Sequence, residues 1–194
     1  MPRRPKIRPD EPGRDRVLQA ASELFAENGF EATSITEIGR EAGMSKSVLY
    51  HYFGSKRELY ATLLETESER LLERVGEAVP ADPNAPRLRA GLDAFLSFLA
   101  ERPATWGLVL RGPPADPELK SLHARLDRER SAALTELLAQ ADKRRQRSEH
   151  VELVAIAVSA YVTWWHEHPD FPQEAVVDAI MNIAAGPVGS GPDA

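Results

Sequence analysis

The stretch TSITEIGREAGMSKSVLYHYFGSKREL, residues 33–59, decides how the rest of the chain is read. It holds two short helical patterns separated by Gly43. The first covers residues 34–42. Ser34 is a good N-cap, and Glu37 three positions later completes a capping box. Ile35, Ile38 and Ala42 recur at helical spacing as one apolar stripe. Gly43 stops the helix, since glycine alone takes left-handed backbone cheaply. Ser45 can cap a second helix running to Phe53. On it, Leu49, Tyr52 and Phe53 cluster on one side, while Lys46, Ser47, Tyr50 and His51 point the other way. This is what a helix-turn-helix needs: one stripe anchors the helix and the opposite stripe is free to enter a groove. The free stripe carries a cation, hydroxyls and aromatics and no acid, groups that meet phosphates and base edges.

These residues closely resemble the DNA-binding domain of the tetracycline-repressor-like (TetR) family of bacterial transcription regulators. The matching pieces are the Thr33-Ser34-Ile35 start, Ile38, Ala42-Gly43, Ser45-Lys46, the run from Leu49 to Phe53, and Ser55-Lys56 followed by Glu58-Leu59. The resemblance implies an all-α fold of about nine helices: an N-terminal three-helix DNA-binding domain joined to a C-terminal helical ligand-binding and dimerisation domain. It implies DNA contacts from Lys46, Ser47, Val48, Tyr50 and His51 on the reading helix. Val48 would meet a thymine methyl, Lys46 a guanine edge or a phosphate, and the Tyr50 and Tyr52 hydroxyls phosphate. Ser34, Thr36 and Lys56 would hold the DNA backbone from the flanking helices. The chain has Ser47 and Val48 where glycine, then threonine or alanine, are common in the family, so base preference does not carry over.

A length of 194 residues allows a self-standing core, since roughly 70% of the unfolded surface can be buried at this size. The chain has no cysteine, which excludes disulfides and thiolate metal sites and fits a reducing cytoplasm. No uncharged apolar run reaches the ~20 residues of a membrane span, and the basic, proline-rich start does not read as a signal peptide. The net charge of −6 looks wrong for a DNA binder. Residues 1–57, however, hold ten Lys/Arg against eight Asp/Glu, and residues 58–194 fourteen against twenty-two. The positive field therefore sits with the helix-turn-helix, where attraction to DNA depends on it.

Taken in order, residues 1–12 read as a disordered basic arm carrying Arg3, Arg4, Lys6 and Arg8. A helix spans 13–28 and ends at Gly29, and residues 13–58 form the DNA-binding domain. A long helix, capped by Ser55, follows over 56–79. Residues 59–185 form the effector-binding and dimerisation domain, with further helices before Pro103, over 117–143 and over 148–166, and one after Pro172. The cluster Lys143, Arg144, Arg145 and Arg147 sits where cations offset a helix dipole. Residues 186–194 read as a disordered tail.

The helix over 148–166 is apolar nearly all round, with Val151, Leu153, Val154, Ile156, Val158, Tyr161, Val162, Trp164 and Trp165. Such a helix needs cover on both sides, and the second cover is read as another subunit. The resemblance places the homodimer contact on the last two long helices, as a four-helix bundle. It also implies a small-molecule effector, whose candidate contacts are Phe95, Phe98, Leu99, Trp106, Leu110, His123, Tyr161 and Trp165. These walls suit an apolar or aromatic ligand. His166 and His168 bracket Glu167, with His150 one helix earlier, but their placement reads as solvent-exposed, and neither a metal nor a cofactor is expected. The function read from the sequence is a ligand-responsive regulator, a repressor binding a palindromic double-stranded operator as a homodimer. The alternative is an all-helical enzyme or carrier with an incidental helix-turn-helix.

Overall fold

The structure, a computed structural model, describes residues 11–82, 85–109, 112–141 and 148–185. Among these it is all-helical, with α1 (Glu11–Ala32), α2 (Ile35–Glu41), α3 (Lys46–Phe53), α4 (Lys56–Ala78), α5 (Arg87–Glu101), α6 (Pro103–Val109), α7 (Pro117–Ala141), α8 (Ser148–Glu167) and α9 (Gln173–Ala185). The basic arm up to residue 10, Leu110, the Lys143–Arg147 cluster and the tail after 185 lie outside the described residues, as do the side chains of Trp106 and His150. Among the described residues no helix is long and apolar enough to cross a membrane.

The helix ends follow local chemistry. Ser34 and Glu37 form the expected capping box: the Ser34 hydroxyl accepts from the Glu37 amide at 3.2 Å and the Glu37 carboxylate accepts from the Ser34 amide at 2.8 Å. Ser45 accepts from the Val48 amide at 3.4 Å and Ser55 from the Glu58 amide at 3.1 Å, each serving the orphan donors of a helix start. Gly29 does leave helical geometry (φ 79°, ψ 168°), but helical turns resume and α1 reaches Ala32. Pro103 starts α6 rather than only closing α5; proline is well suited to a first helical turn, where no amide donor is needed.

The chain falls into two compact units, one holding the residues up to Glu67 with Ala104–His123, the other Ser68–Pro103 with Ala124 onward. These compact units are drawn by packing and do not coincide with the division read at residue 58, because the first unit's buried contacts run past it. Tyr60 is hydrogen-bonded to His123 at 3.0 Å, and the Thr105 hydroxyl donates to the Glu67 carboxylate at 2.6 Å; all four residues are buried. A Cβ on Gly107 would lie 3.1 Å from the Ala26 backbone, so α6 and α1 approach closely. The core of this unit comprises Val17, Ala21 and Phe25 from α1, Ile35 and Ile38 from α2, Leu49 and Phe53 from α3, and Leu59, Leu63 and Leu64 from α4. Phe25, Phe30 and Tyr60 meet there, with both phenylalanine rings edge-on to Tyr60 at 5.1 Å, a favoured aromatic geometry.

In the second unit α9 packs on both α8 and α5. Val154, Val158 and Val162 of α8 and Val176, Val177 and Ile180 of α9 are buried. Arg89 of α5 donates to Asp178 of α9 at 2.6 Å, and Gln173 donates to the Ser97 hydroxyl at 3.0 Å. Gly91 stands where a Cβ would lie 2.8 Å from a Leu137 methyl, so α5 and α7 meet at a residue without a side chain. The apolar belt of α8 is covered on one side only: Leu153 (63% exposed) and Ile156 (58%) lie bare on the other.

Candidate nucleic-acid interface

The turn between α2 and α3 is compact. Gly43 takes φ 66°, the left-handed region, and its amide donates to the Arg40 carbonyl at 3.2 Å. The Met44 amide then donates to the Gly39 carbonyl at 2.7 Å. A Cβ on Gly39 would lie 2.7 Å from the Met44 carbonyl oxygen, so α2 needs glycine where the turn folds back over it. Sequence reasoning missed this residue. The available signal was a glycine inside a short helical pattern, costly to the helix and so a sign of close backbone approach.

On α3 the two stripes separate as expected. Leu49 (1% exposed) and Phe53 (6%) are buried, whereas Lys46, Ser47, Tyr50 and His51 are exposed and Val48 and Tyr52 are half-buried. The Lys46 ammonium stands 5.6 Å from the centre of the Tyr50 ring one turn on, a cation–π pair on the exposed face. Tyr52 lies edge-on to Phe53 at 6.0 Å and near the His51 ring at 6.3 Å. Ser34 and Thr36 are exposed at the start of α2. Arg14 of α1 adds a guanidinium 5.5 Å from the centre of the Phe53 ring, covering the buried anchor of α3.

Lys56 departs from the expected phosphate contact. Its ammonium donates to the carbonyls of Phe30 (2.7 Å), Glu31 (3.3 Å) and Thr33 (2.9 Å). It also sits 4.3 Å from the centre of the Phe30 ring. Three donors meet three carbonyls at the end of α1, where a helix leaves its last carbonyls unpaired. Its charge is turned inward, as a cap on α1. Nearby, burial pushes the Tyr60 hydroxyl up to about 12, with the charge of Glu31 adding to it; it stays protonated at neutral pH.

The effector candidates divide between the units. His123 and Trp106 belong to the first, and Phe95, Phe98, Leu99, Tyr161 and Trp165 to the second. Phe98 and Leu99 are buried, and Arg102 stacks its guanidinium over the Phe98 ring at 5.3 Å. Tyr161 lines a shallow apolar surface groove with Ala160, Trp164, Phe171, Ala175, Val176 and Ala179. Trp165 is half-buried and donates its indole N–H to the Phe171 carbonyl at 2.8 Å. His168 stacks on Trp164 at 4.3 Å, with Nδ1 at 2.8 Å from the Trp164 carbonyl. Among the described residues no three His, Cys, Asp or Glu side chains gather as metal ligands would.

A capped helix, a glycine turn and a second helix with a buried anchor and an exposed basic-aromatic stripe define a helix-turn-helix, DNA-binding transcription regulator. Residues 17–63 match the family model described as bacterial regulatory proteins, tetR family. The HTH-type transcriptional activator FasR of Mycolicibacterium smegmatis is 29% identical over 183 residues, 92% of this chain and 84% of FasR. A TetR-like transcriptional regulator from Rhodococcus sp. RHA1 superposes with a TM-score of 0.77 at 25% identity, covering 92% of this chain and 96% of that one. The regulator FadR of Bacillus subtilis, solved in complex with stearoyl-CoA, shares the fold with a TM-score of 0.75 at 18% identity, over 90% of this chain and 99% of FadR. Residues 17–63 are thus a tetR-family DNA-binding domain, and the chain as a whole is similar to regulators of that family. It is a transcription regulator and not an enzyme.

Proposed function

We propose that the protein binds a palindromic operator as a homodimer, represses the promoter it covers, and leaves the DNA when a small apolar or aromatic effector binds. The observation that carries the DNA contact is the exposure of Lys46, Ser47, Tyr50 and His51 opposite the buried Leu49 and Phe53. Val48 and Tyr52 at its edge, with Ser34 and Thr36 on α2, complete the proposed contact set. Lys56 is left out of it. The head is assigned to residues 13–58 and the effector and dimer functions to residues 59–185. The dimer reading rests on the bare apolar residues Leu153, Ile156, Trp164, Phe171 and Ile183 of the last two long helices and their connection. Surface apolar patches of this kind mark association sites. Double-stranded chromosomal DNA as partner assigns the protein to the cytoplasm.

The effector reading rests on the apolar and aromatic character of Phe95, Phe98, Leu99, Tyr161 and Trp165. That FadR takes stearoyl-CoA is a property of FadR; it supports an apolar ligand here only as something this fold can hold. FasR is an activator by name. The same head serves either sign, and the sign follows from where the operator lies relative to the promoter.

A gel shift with the DNA flanking the protein's own coding region tests the reading. A shift is expected at low salt, and the Lys46→Ala/Tyr50→Phe double variant is expected to abolish it while keeping the wild-type helical content. Absence of any shift with the wild type would move weight to a helical carrier. A promoter fusion whose output rises when the gene is deleted is the result expected of a repressor, and a fall would make the protein an activator.

A further inference from the structure

The first turn of α4 carries two cations beside the reading head, and neither is turned outward to DNA. Lys56 caps α1. Arg57 reaches the first turn of α7 instead: Nε donates to Asp116 at 2.9 Å and Nη1 to Glu118 at 2.8 Å. Asp116 does double duty. One carboxylate oxygen accepts from the amides of Glu118 (2.9 Å) and Leu119 (3.2 Å), capping α7, and the other holds Arg57. Burial pushes this carboxyl up, but the two amides and Arg57 outweigh it and hold it below its ordinary range, so it is ionised at neutral pH. A second tether lies alongside, where the Ala115 amide donates to Glu31 at the end of α1 at 3.0 Å. A third is the buried Tyr60–His123 hydrogen bond, one turn further along α4.

All these residues lie in the first unit. An arginine with two carboxylate partners forms a group of net negative charge, and such a group does not attract phosphate. We propose that Arg57, Asp116 and Glu118 form an ionic latch through which the first turn of α7 fixes the attitude of the reading head. Arg57 is thus a positioning residue for DNA binding and not a phosphate contact. The inference rests on the DNA-binding reading above. A head held at one attitude gives up less freedom on docking, so the latch raises affinity without touching DNA.

The test uses the full-length protein and the tightest duplex the wild type selects from a random library, with affinity measured from low to moderate salt. The variants are Arg57→Gln, Asp116→Asn/Glu118→Gln, and all three changes together. Asn at 116 can still cap α7. Circular dichroism and melting curves confirm that each variant is folded. A latch predicts that removing the arginine or the carboxylates weakens binding alike, by about fivefold, the lower end of typical couplings between linked sites. The triple variant should be no weaker than either parent, and Arg57→Lys, which can keep one ion pair, should recover part of the loss. The slope of log K against log salt should stay at the wild-type value.

A phosphate contact predicts the opposite sign. Arg57→Gln would then reduce the slope by about 0.9, and Asp116→Asn/Glu118→Gln would tighten binding by freeing the guanidinium. Either result, or unchanged affinity in every variant, overturns the latch. A wild type that selects no duplex overturns the DNA-binding reading and the latch with it, and is told apart because it needs no variant.

Discussion

Leu49 holds the reading helix by its buried side, 1% exposed beneath the stripe that faces outward. Its methyls are also the nearest side-chain atoms to Gly39, 3.8 Å from where a Cβ there would sit, so no room is left for collapse from that direction. Leu49→Ala is expected to cost about 2–5 kcal/mol, the range for buried leucines whose surroundings cannot close the cavity. Urea denaturation followed by circular dichroism measures it; a loss below ~1 kcal/mol would mean that α3 is not anchored there. The helical spacing of Leu49 and Phe53 made this anchor legible in the sequence, because burial follows from periodicity alone. Lys56 was not legible in the same way. A lysine in the first turn of a helix beside a DNA head reads as a phosphate contact, yet its acceptors are carbonyls 23 to 26 positions earlier in the chain. No local pattern encodes that meeting. Arg57, Asp116 and Glu118 escaped for the same reason, being some 60 positions apart in sequence.

At the scale of the element, α2 is short, seven residues, and short helices are marginal without help at their ends. The capping box supplies part of that help. The Ser34 hydroxyl first, and its amide second, hold the Glu37 carboxyl below its ordinary value of 4.5. A carboxyl with a depressed folded value contributes stability that is complete above its unfolded value and is lost as pH falls through the folded one. The contribution of Glu37 should therefore be intact at neutral pH and fade only below pH 4.5. Ser34→Ala removes the largest cause, so Glu37 should titrate closer to its ordinary value, as carboxyl NMR would report. The same change should cost about 1 kcal/mol at neutral pH through the lost N-cap. A Glu37 titration identical in wild type and variant would show that the box does not form in solution. Both members of the box, the Gly43 stop and the Ser45 and Ser55 caps were readable in sequence because caps act over three residues. The break at Gly29 was readable too, and its φ of 79° and ψ of 168° interrupt α1 there; the short helical piece that follows as far as Ala32 had no signal of its own.

At the scale of the molecule, the proposed two-fold pair would set two reading heads ~34–36 Å apart in successive major grooves. The apolar belt of α8 was legible in the sequence; which half of it the subunit covers itself was not, because that depends on where α9 and α5 pack. Val154, Val158 and Val162 turn inward, leaving Leu153 and Ile156 bare. The effector site was the least legible part, because apolar residues of a pocket wall and of an ordinary core have the same composition and spacing. If the bare face is the dimer contact, a charge there should separate the subunits without unfolding them, since neither side chain supports its own subunit's core. Leu153→Glu/Ile156→Arg is expected to yield a folded monomer of about half the wild-type mass by light scattering, with operator affinity reduced at least ~100-fold, as expected when the second head loses its tether. Residual binding should be independent of whether the duplex carries one half-site or two, because a lone head cannot read their spacing. A variant that remains dimeric and still prefers the two-half-site duplex would place the subunit contact elsewhere on the chain.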